Sequence, residues 1–84
     1  MELNEMRDMR EVMRDEMVMR DPIREILQEA PLTIPELALR LERPTREVML
    51  WVMGMRRYGL LIEQGRPDED GYFQYSLVKE KPNE

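Results

Sequence analysis

The chain of 84 residues contains no cysteine and no histidine. Their absence excludes disulfides, zinc sites built on thiolate or imidazole, cysteine-ligated iron–sulfur clusters and histidine-dependent acid–base catalysis. Apart from the tyrosines, the hydroxyl groups belong to Thr33, Thr45 and Ser76, and none has a histidine to activate it. The two lysines, Lys79 and Lys81, lie near the C-terminal end. We therefore expect neither an enzyme nor a cofactor, and no metal site.

Long apolar runs are missing as well. No stretch approaches the roughly 20 apolar residues of a membrane span, and charges recur every two or three residues where a signal peptide would need an apolar segment. We therefore expect a cytoplasmic protein without a membrane partner. The length allows one domain at most, and an apolar content of 42% is ordinary for a globular chain.

The net charge of −5 bears on possible nucleic-acid binding. Affinity for nucleic acid comes largely from lysine and arginine side chains that neutralise phosphates, so an acidic chain must concentrate its cations on one face. Residues 1–20, 21–44 and 62–75 each carry more acids than cations, whereas residues 45–58 carry three cations and one acid. The segment 45–58 is therefore the candidate for contact with phosphates.

Residues 1–20 predict an amphipathic, methionine-rich helix. Met-Arg-acid triplets recur there, without glycine or proline. At 100° per residue one stripe contains Leu3, Met6, Met9, Met13 and Met17. Methionine is flexible and polarizable, which suits an adaptable contact surface, so the stripe is a candidate interface with another protein or a second copy. Two alternatives stay open: the stripe packs on its own domain, or the residues before Met19 are an extension of little function.

Residues 21–78 carry the signals of a separate folded domain, followed by a polar tail at 79–84. Asp21 and Pro22 predict the N-cap and first residue of a helix that ends near Ala30. Thr33 and Glu36 have the spacing of a capping box, which predicts the start of a second helix.

A third helix is predicted from about Thr45, as its cap, to Arg57. Pro44 cannot continue the preceding helix, and Gly59 supplies the left-handed residue that often follows a helix. The residues expected to point inward are Val48, Val52 and Met55. Trp51 flanks that face, which favours packing against the first helix or the hairpin over a role as an interface anchor.

Two strands close the domain. Leu60 to Glu63 predicts one strand, a polar loop follows, and Tyr72 to Val78 predicts the second. On the second strand Phe73, Tyr75 and Leu77 alternate onto one face, which predicts that they are buried, whereas Tyr72 is expected to be the best exposed aromatic residue. The fold class is therefore mainly α with a small β-hairpin.

Three helices followed by a β-hairpin resemble the winged helix-turn-helix family, and the likeness extends to the register of residues 32–61. Leu37-Ala38 matches the family's Leu-Ala pair on the second helix, the step from Leu41 to Val48 matches its seven-residue spacing, and Gly59-Leu60 matches the pair that opens its wing. The resemblance implies a winged helix-turn-helix domain, here preceded by the amphipathic N-terminal helix, and the family's usual activity of DNA binding by transcription regulators.

A narrower resemblance covers residues 47–59, EVMLWVMGMRRYG. This segment is similar to one in small winged-helix proteins that accompany heterodisulfide-reductase-type electron-transfer proteins. Since the chain has no cysteine or histidine to ligate the cofactors of such a system, the similarity implies a regulator or an accessory subunit.

The outward face of the third helix favours protein contact over base reading. In winged-helix regulators this helix enters the major groove, where polar side chains meet base edges. Here the outward positions include Met49, Leu50, Met53 and Gly54, and the hairpin loop QGRPDEDG sets three carboxylates against Arg66. Gly54 indicates either a closely approaching backbone or an unconstrained solvent position.

The sequence therefore favours a non-enzymatic winged-helix module that acts through protein–protein contacts, as a self-associating protein or a subunit of a larger complex. Its interface would include Met49, Leu50, Met53 and Gly54 together with the methionine stripe. The alternative is a sequence-specific DNA-binding transcriptional regulator, in which Thr45, Arg46, Arg57 and Arg66 contact the nucleic acid.

Overall fold

The computed structural model describes residues 8–78, so the predicted interface residues Leu3 and Met6 and the tail 79–84 lie outside the described part of the chain. The elements in chain order are α1 (Met9–Arg14), α2 (Glu16–Glu29), β1 (Leu32–Thr33), α3 (Ile34–Leu41), α4 (Thr45–Arg57), β2 (Leu61–Gln64) and β3 (Gln74–Leu77). The protein is mostly helical and has a small antiparallel sheet in the order β1-β3-β2. The predicted combination of helices with a β-hairpin is therefore confirmed.

The N-terminal helix ends one residue short of the next one. Only Asp15 separates α1 from α2, and its amide donates to the carbonyl oxygens of Glu11 and Val12, each at 3.1 Å. Its own carbonyl accepts the amide of Met19 at 2.9 Å, so Asp15 ends one helix and begins the next, and none of these hydrogen bonds spans it. The predicted division between a helix at 1–20 and a domain at 21–78 therefore falls inside α2.

The predicted helix start at Asp21 is wrong, because α2 begins at Glu16 and contains Pro22 in its interior. An internal proline removes one hydrogen bond and costs about 3 kcal/mol. Pro22 has no N–H to donate to the carbonyl of Val18. Because Val18 is exposed, water can solvate that carbonyl. On the opposite side α2 buries Met19, Ile23 and Leu27. Burial of three such side chains contributes up to roughly 4–9 kcal/mol, which outweighs the proline.

The capping box at the start of α3 is confirmed. The Thr33 hydroxyl accepts the Glu36 amide at 3.3 Å, and the Glu36 carboxylate accepts the Thr33 amide at 2.8 Å. Leu32 and Thr33 also form strand β1, which pairs antiparallel with Tyr75 and Gln74 of β3. The sequence does not predict β1, since two residues are too few to show any periodicity.

Helix α4 has the predicted bounds but a different cap. Pro44, not Thr45, is the N-cap, and no side chain completes that cap. The extended backbone of Pro44 points its carbonyl into the helix, where it accepts the amides of Glu47 and Val48 at 3.0 and 3.1 Å. The predicted inward residues are confirmed, because Val48, Val52 and Met55 are fully buried.

Strand β3 is the centre of the sheet and supplies the face that packs on the helices. It pairs with β2 so that Leu61 lies opposite Leu77 and Glu63 opposite Tyr75. Tyr75 is buried, and Phe73 and Leu77 are partly buried against the core, which confirms the predicted face of this strand.

Helices α3 and α4 end in the same hydrogen-bonded turn but with different residues in the left-handed position. After α3 the position is held by Glu42, with φ 58°, and the Arg43 amide donates to the Ala38 carbonyl at 3.1 Å. After α4 it is held by Gly59, with φ 79°, and the Leu60 amide donates to Met55 at 2.9 Å. The first turn therefore carries a steric cost that glycine avoids in the second.

This pair of turns gives a matched stability prediction. Glu42→Gly should raise the free energy of unfolding by about 0.5–1 kcal/mol, because it relieves a left-handed residue with a Cβ. Gly59→Ala should lower it by about 1 kcal/mol for the converse reason, since a Cβ there meets no atom within 4 Å and only the backbone is affected. Urea denaturation of both variants measures these changes. Shifts in the same direction would contradict the prediction.

Candidate protein-contact surface

Four apolar side chains stand in solvent along α1 and the start of α2. Met9 is 57% exposed, Met13 56%, Met17 67% and Val18 71%. We call these four residues the methionine row. Three of them belong to the predicted stripe, so the structure places the described part of that stripe on the outside of the protein.

The exposure of the methionine row follows from what α1 buries. Val12 is 3% exposed and packs in the core. Its carbonyl oxygen accepts the indole N–H of Trp51 at 2.6 Å, and Trp51 itself is fully buried. The N-terminal helix therefore packs on its own domain, yet it does so through Val12, and Trp51 is a core residue.

The outward face of α4 exposes less apolar surface than the sequence suggests. Met49 is 39% exposed, whereas Leu50 and Met53 are half-buried and pack against the core cluster. Gly54 is buried. Of these four predicted interface residues, Met49 is the one that clearly faces solvent.

Gly54 is covered by an acidic side chain of the same protein. A Cβ at this position would lie 2.7 Å from the carboxyl carbon of Glu16. The Glu16 carboxylate is bound by Arg20 at 2.8 Å, and the Arg20 guanidinium lies 5.0 Å from the centre of the Tyr58 ring. The close approach that Gly54 predicted is therefore real, but the approaching group is a carboxylate rather than a backbone.

Tyr58, 68% exposed, is the most exposed aromatic residue of the described chain, and the prediction that named Tyr72 is wrong. Tyr72 is half-buried, because its amide and carbonyl both bond to Asp68 and hold it against the loop. No residue near Tyr58 in the sequence marks it as the exposed aromatic, and the Arg20 side chain that contacts its ring comes from a distant segment.

The predicted DNA-contact residues lie on separate segments. Thr45, half-buried, and Arg46, exposed, belong to the first turn of α4, Arg57 to its last turn, and Arg66 to the hairpin loop. The neighbouring Arg56 is held by Glu63, with 2.6 Å between Nε and Oε2. This ion pair partly neutralises α4, whose sequence carries three cations and one acid.

The hairpin loop is organised by one of its own acids. The Asp68 carboxylate accepts the amides of Asp70 and Tyr72, both at 2.9 Å, and its carbonyl accepts the amide of Gly71 at 2.9 Å. Asp68, Glu69 and Asp70 are all exposed. The tip of the hairpin therefore presents negative charge on a hydrogen-bonded turn.

Comparison of the chain with protein-family models, with curated proteins and with solved structures finds no match. Between residues 8 and 78, no helix combines the length and the apolar character needed to cross a membrane.

The Arg56–Glu63 pair makes a prediction about pH. The hydrogen bond from Arg56 lowers the pKa of Glu63 below its ordinary range, so the stabilisation is present above a pH of about 4.3 and is lost as the pH falls through the lowered value. Arg56→Gln should raise the pKa of Glu63 back toward the ordinary value, and the control Arg57→Gln should leave it unchanged. Carboxyl NMR titration reads both, and equal titration curves in the natural chain and Arg56→Gln would refute the assignment.

The contact between Gly54 and Glu16 predicts a measurable coupling. Gly→Ala inside a helix normally stabilises by about 0.5–1 kcal/mol. Here the new methyl group displaces the Glu16 carboxylate. Gly54→Ala should therefore stabilise the natural chain by about 1 kcal/mol less than it stabilises a chain that already carries Glu16→Ala. A double-mutant cycle in urea measures this difference. The same effect in both backgrounds would mean that the carboxylate moves aside without cost.

Proposed function

We propose that this protein is a winged-helix module that acts through protein–protein contacts and has no catalytic role. Three helices, α2, α3 and α4, followed by the hairpin of β2 and β3, support the winged-helix part of the proposal. The fold alone does not decide what such a module binds, so the surface must carry that part of the argument.

The observation that carries the proposal is the methionine row. All four of its side chains are more than half exposed. Met9, Met13 and Met17 recur at intervals of four residues and so lie along one side of the helical region, and exposed apolar clusters of this kind usually mark interaction sites. Full burial of one such side chain contributes about 1.5–3 kcal/mol, so covering the exposed part of these three makes up to roughly 3–5 kcal/mol available to a partner. Methionine also adapts its shape to an irregular protein surface.

The charge around the hairpin supports protein over DNA as the partner. A DNA-binding hairpin would lie close to phosphates, but this one presents Asp68, Glu69 and Asp70 on an ordered turn. On α4, Met49 is exposed where a DNA-binding winged-helix protein would carry a base-reading side chain, and Arg56 is already paired with Glu63. These features oppose the salt-dependent attraction that drives nucleic-acid binding.

Site-specific photo-crosslinking in the native host tests the proposal. A benzophenone amino acid in place of Met13 or Met17 should give protein adducts, because those side chains lie in the proposed contact. The same group in place of Glu69, exposed in the hairpin loop, is the control and should give none. The absence of adducts at both methionine positions would overturn the proposal.

A DNA titration separates the two candidate functions. We expect no saturable binding of labelled duplex DNA at about 50 mM salt. Micromolar binding that weakens steeply with added salt, and that is lost in Arg46→Gln with Arg57→Gln, would instead establish the DNA-binding regulator.

A further inference from the structure

We infer that a second copy of this chain covers the outward face of α1 and α2, antiparallel to the first and related by a two-fold axis between Met17 and Val18. The inference rests on the proposed function and names its partner. It is carried by the order of charges along this face.

The outward face lies opposite the buried side of the two helices. Val12 and Ile23 mark the buried side. Val12, Glu16 and Arg20 all contact α4 or its C-cap Tyr58, so both helices keep the same side toward it. At about 100° per residue the positions on the far side form one stripe about 100° wide. The stripe consists of Arg10, Arg14, Met17, Val18, Asp21, Glu25 and Gln28, and all seven residues are exposed.

The stripe has cations at one end, apolar residues in the middle and acids at the other end. An antiparallel second copy therefore places Arg10 opposite its Glu25, Arg14 opposite its Asp21, and Met17 opposite its Val18. Each ionic contact occurs twice, which is the self-complementarity that a two-fold interface requires. A parallel second copy would instead set cation against cation and acid against acid.

The charged residues of the stripe make few ion pairs with other residues of the described chain. In the described chain no ion pair occupies Arg14, Asp21 or Glu25, and Arg10 makes one loose, exposed contact of 3.5 Å with Asp8. The apolar residues also favour a two-fold axis between Met17 and Val18, because these are the two most exposed members of the methionine row. Burial of these two side chains and their symmetry mates would form a dry centre between the ionic contacts.

The face fits a second copy better than it fits nucleic acid. Half of its charges are carboxylates, which phosphates would repel. A different protein would need acids, apolar residues and cations in the complementary order at the same spacing, and the chain itself offers that order. Exposed ion pairs are individually weak and are screened by salt, so the dimer should dissociate as the salt concentration rises.

Two charge-reversed variants of the full chain test the arrangement. Arg10→Glu with Arg14→Glu makes the stripe wholly acidic, and Asp21→Arg with Glu25→Arg makes it wholly basic. Sedimentation equilibrium at about 50 mM salt should show that each variant self-associates at least about tenfold more weakly than the natural chain. An equimolar mixture of the two should form a heterodimer, because every contact is then between opposite charges.

Matched controls separate the stripe from the effect of net charge. Arg57→Glu with Arg66→Glu changes the net charge as the acidic variant does, and Glu69→Arg with Asp70→Arg changes it as the basic variant does, but all four residues lie elsewhere on the surface. The controls should associate like the natural chain. Circular dichroism of every variant verifies that the fold is kept.

Three results would overturn the inference: a natural chain that stays monomeric at every concentration, charge-reversed variants that associate as tightly as the natural chain, or a mixture that associates no better than its components. The proposed function would survive any of these if Met13 and Met17 still cross-link to a different protein. If they cross-link to nothing, the proposed function fails independently of the sedimentation result.

Discussion

The hydrogen bond from the Trp51 indole to the Val12 carbonyl is the contact on which the arrangement of this protein depends. A fully buried indole needs an acceptor, because an unpaired buried N–H costs about 1–3 kcal/mol. The acceptor comes from a helix 39 residues earlier in the chain. The bond makes α1 part of the core, and by turning Val12 inward it turns the methionine row outward.

The same constraint explains why one helical region has two such different faces. The inner face is fixed by contacts with α4: Val12 meets Trp51, the Glu16 carboxylate covers Gly54, and Arg20 lies over Tyr58. These contacts follow both helices in the same direction, so α1 and α2 turn the same side toward α4. The charged residues of the outer face therefore lie on the same side of both helices.

Local signals in the sequence were sufficient for much of the fold. The capping box of Thr33 and Glu36, the bounds of α4 and the left-handed Gly59 each depend on residues a few positions apart, and each was predicted correctly. The alternating face of the last strand was likewise readable, because a period of two is a strong pattern even over a few residues.

The features that the sequence did not predict depend on distant contacts. Every local rule places a helix start at Pro22. The helix α2 nevertheless continues through Pro22, because burial of Met19 and Ile23 in the core stabilises it on both sides. Val12 is one apolar residue among many methionines, and its burial depends on residues far along the chain, Trp51 among them. Gly54 was correctly associated with a close approach, but the identity of the approaching group, Glu16, required the three-dimensional structure.

Trp51 is the single tryptophan of the chain. Because its indole is hydrogen-bonded to the Val12 carbonyl, its intrinsic fluorescence reports on the position of the N-terminal helix. Lifting Val12 away would move the indole from an apolar, hydrogen-bonded site into water, and its fluorescence emission would shift to longer wavelength. The position of α1 can thus be followed in real time in the unlabelled protein.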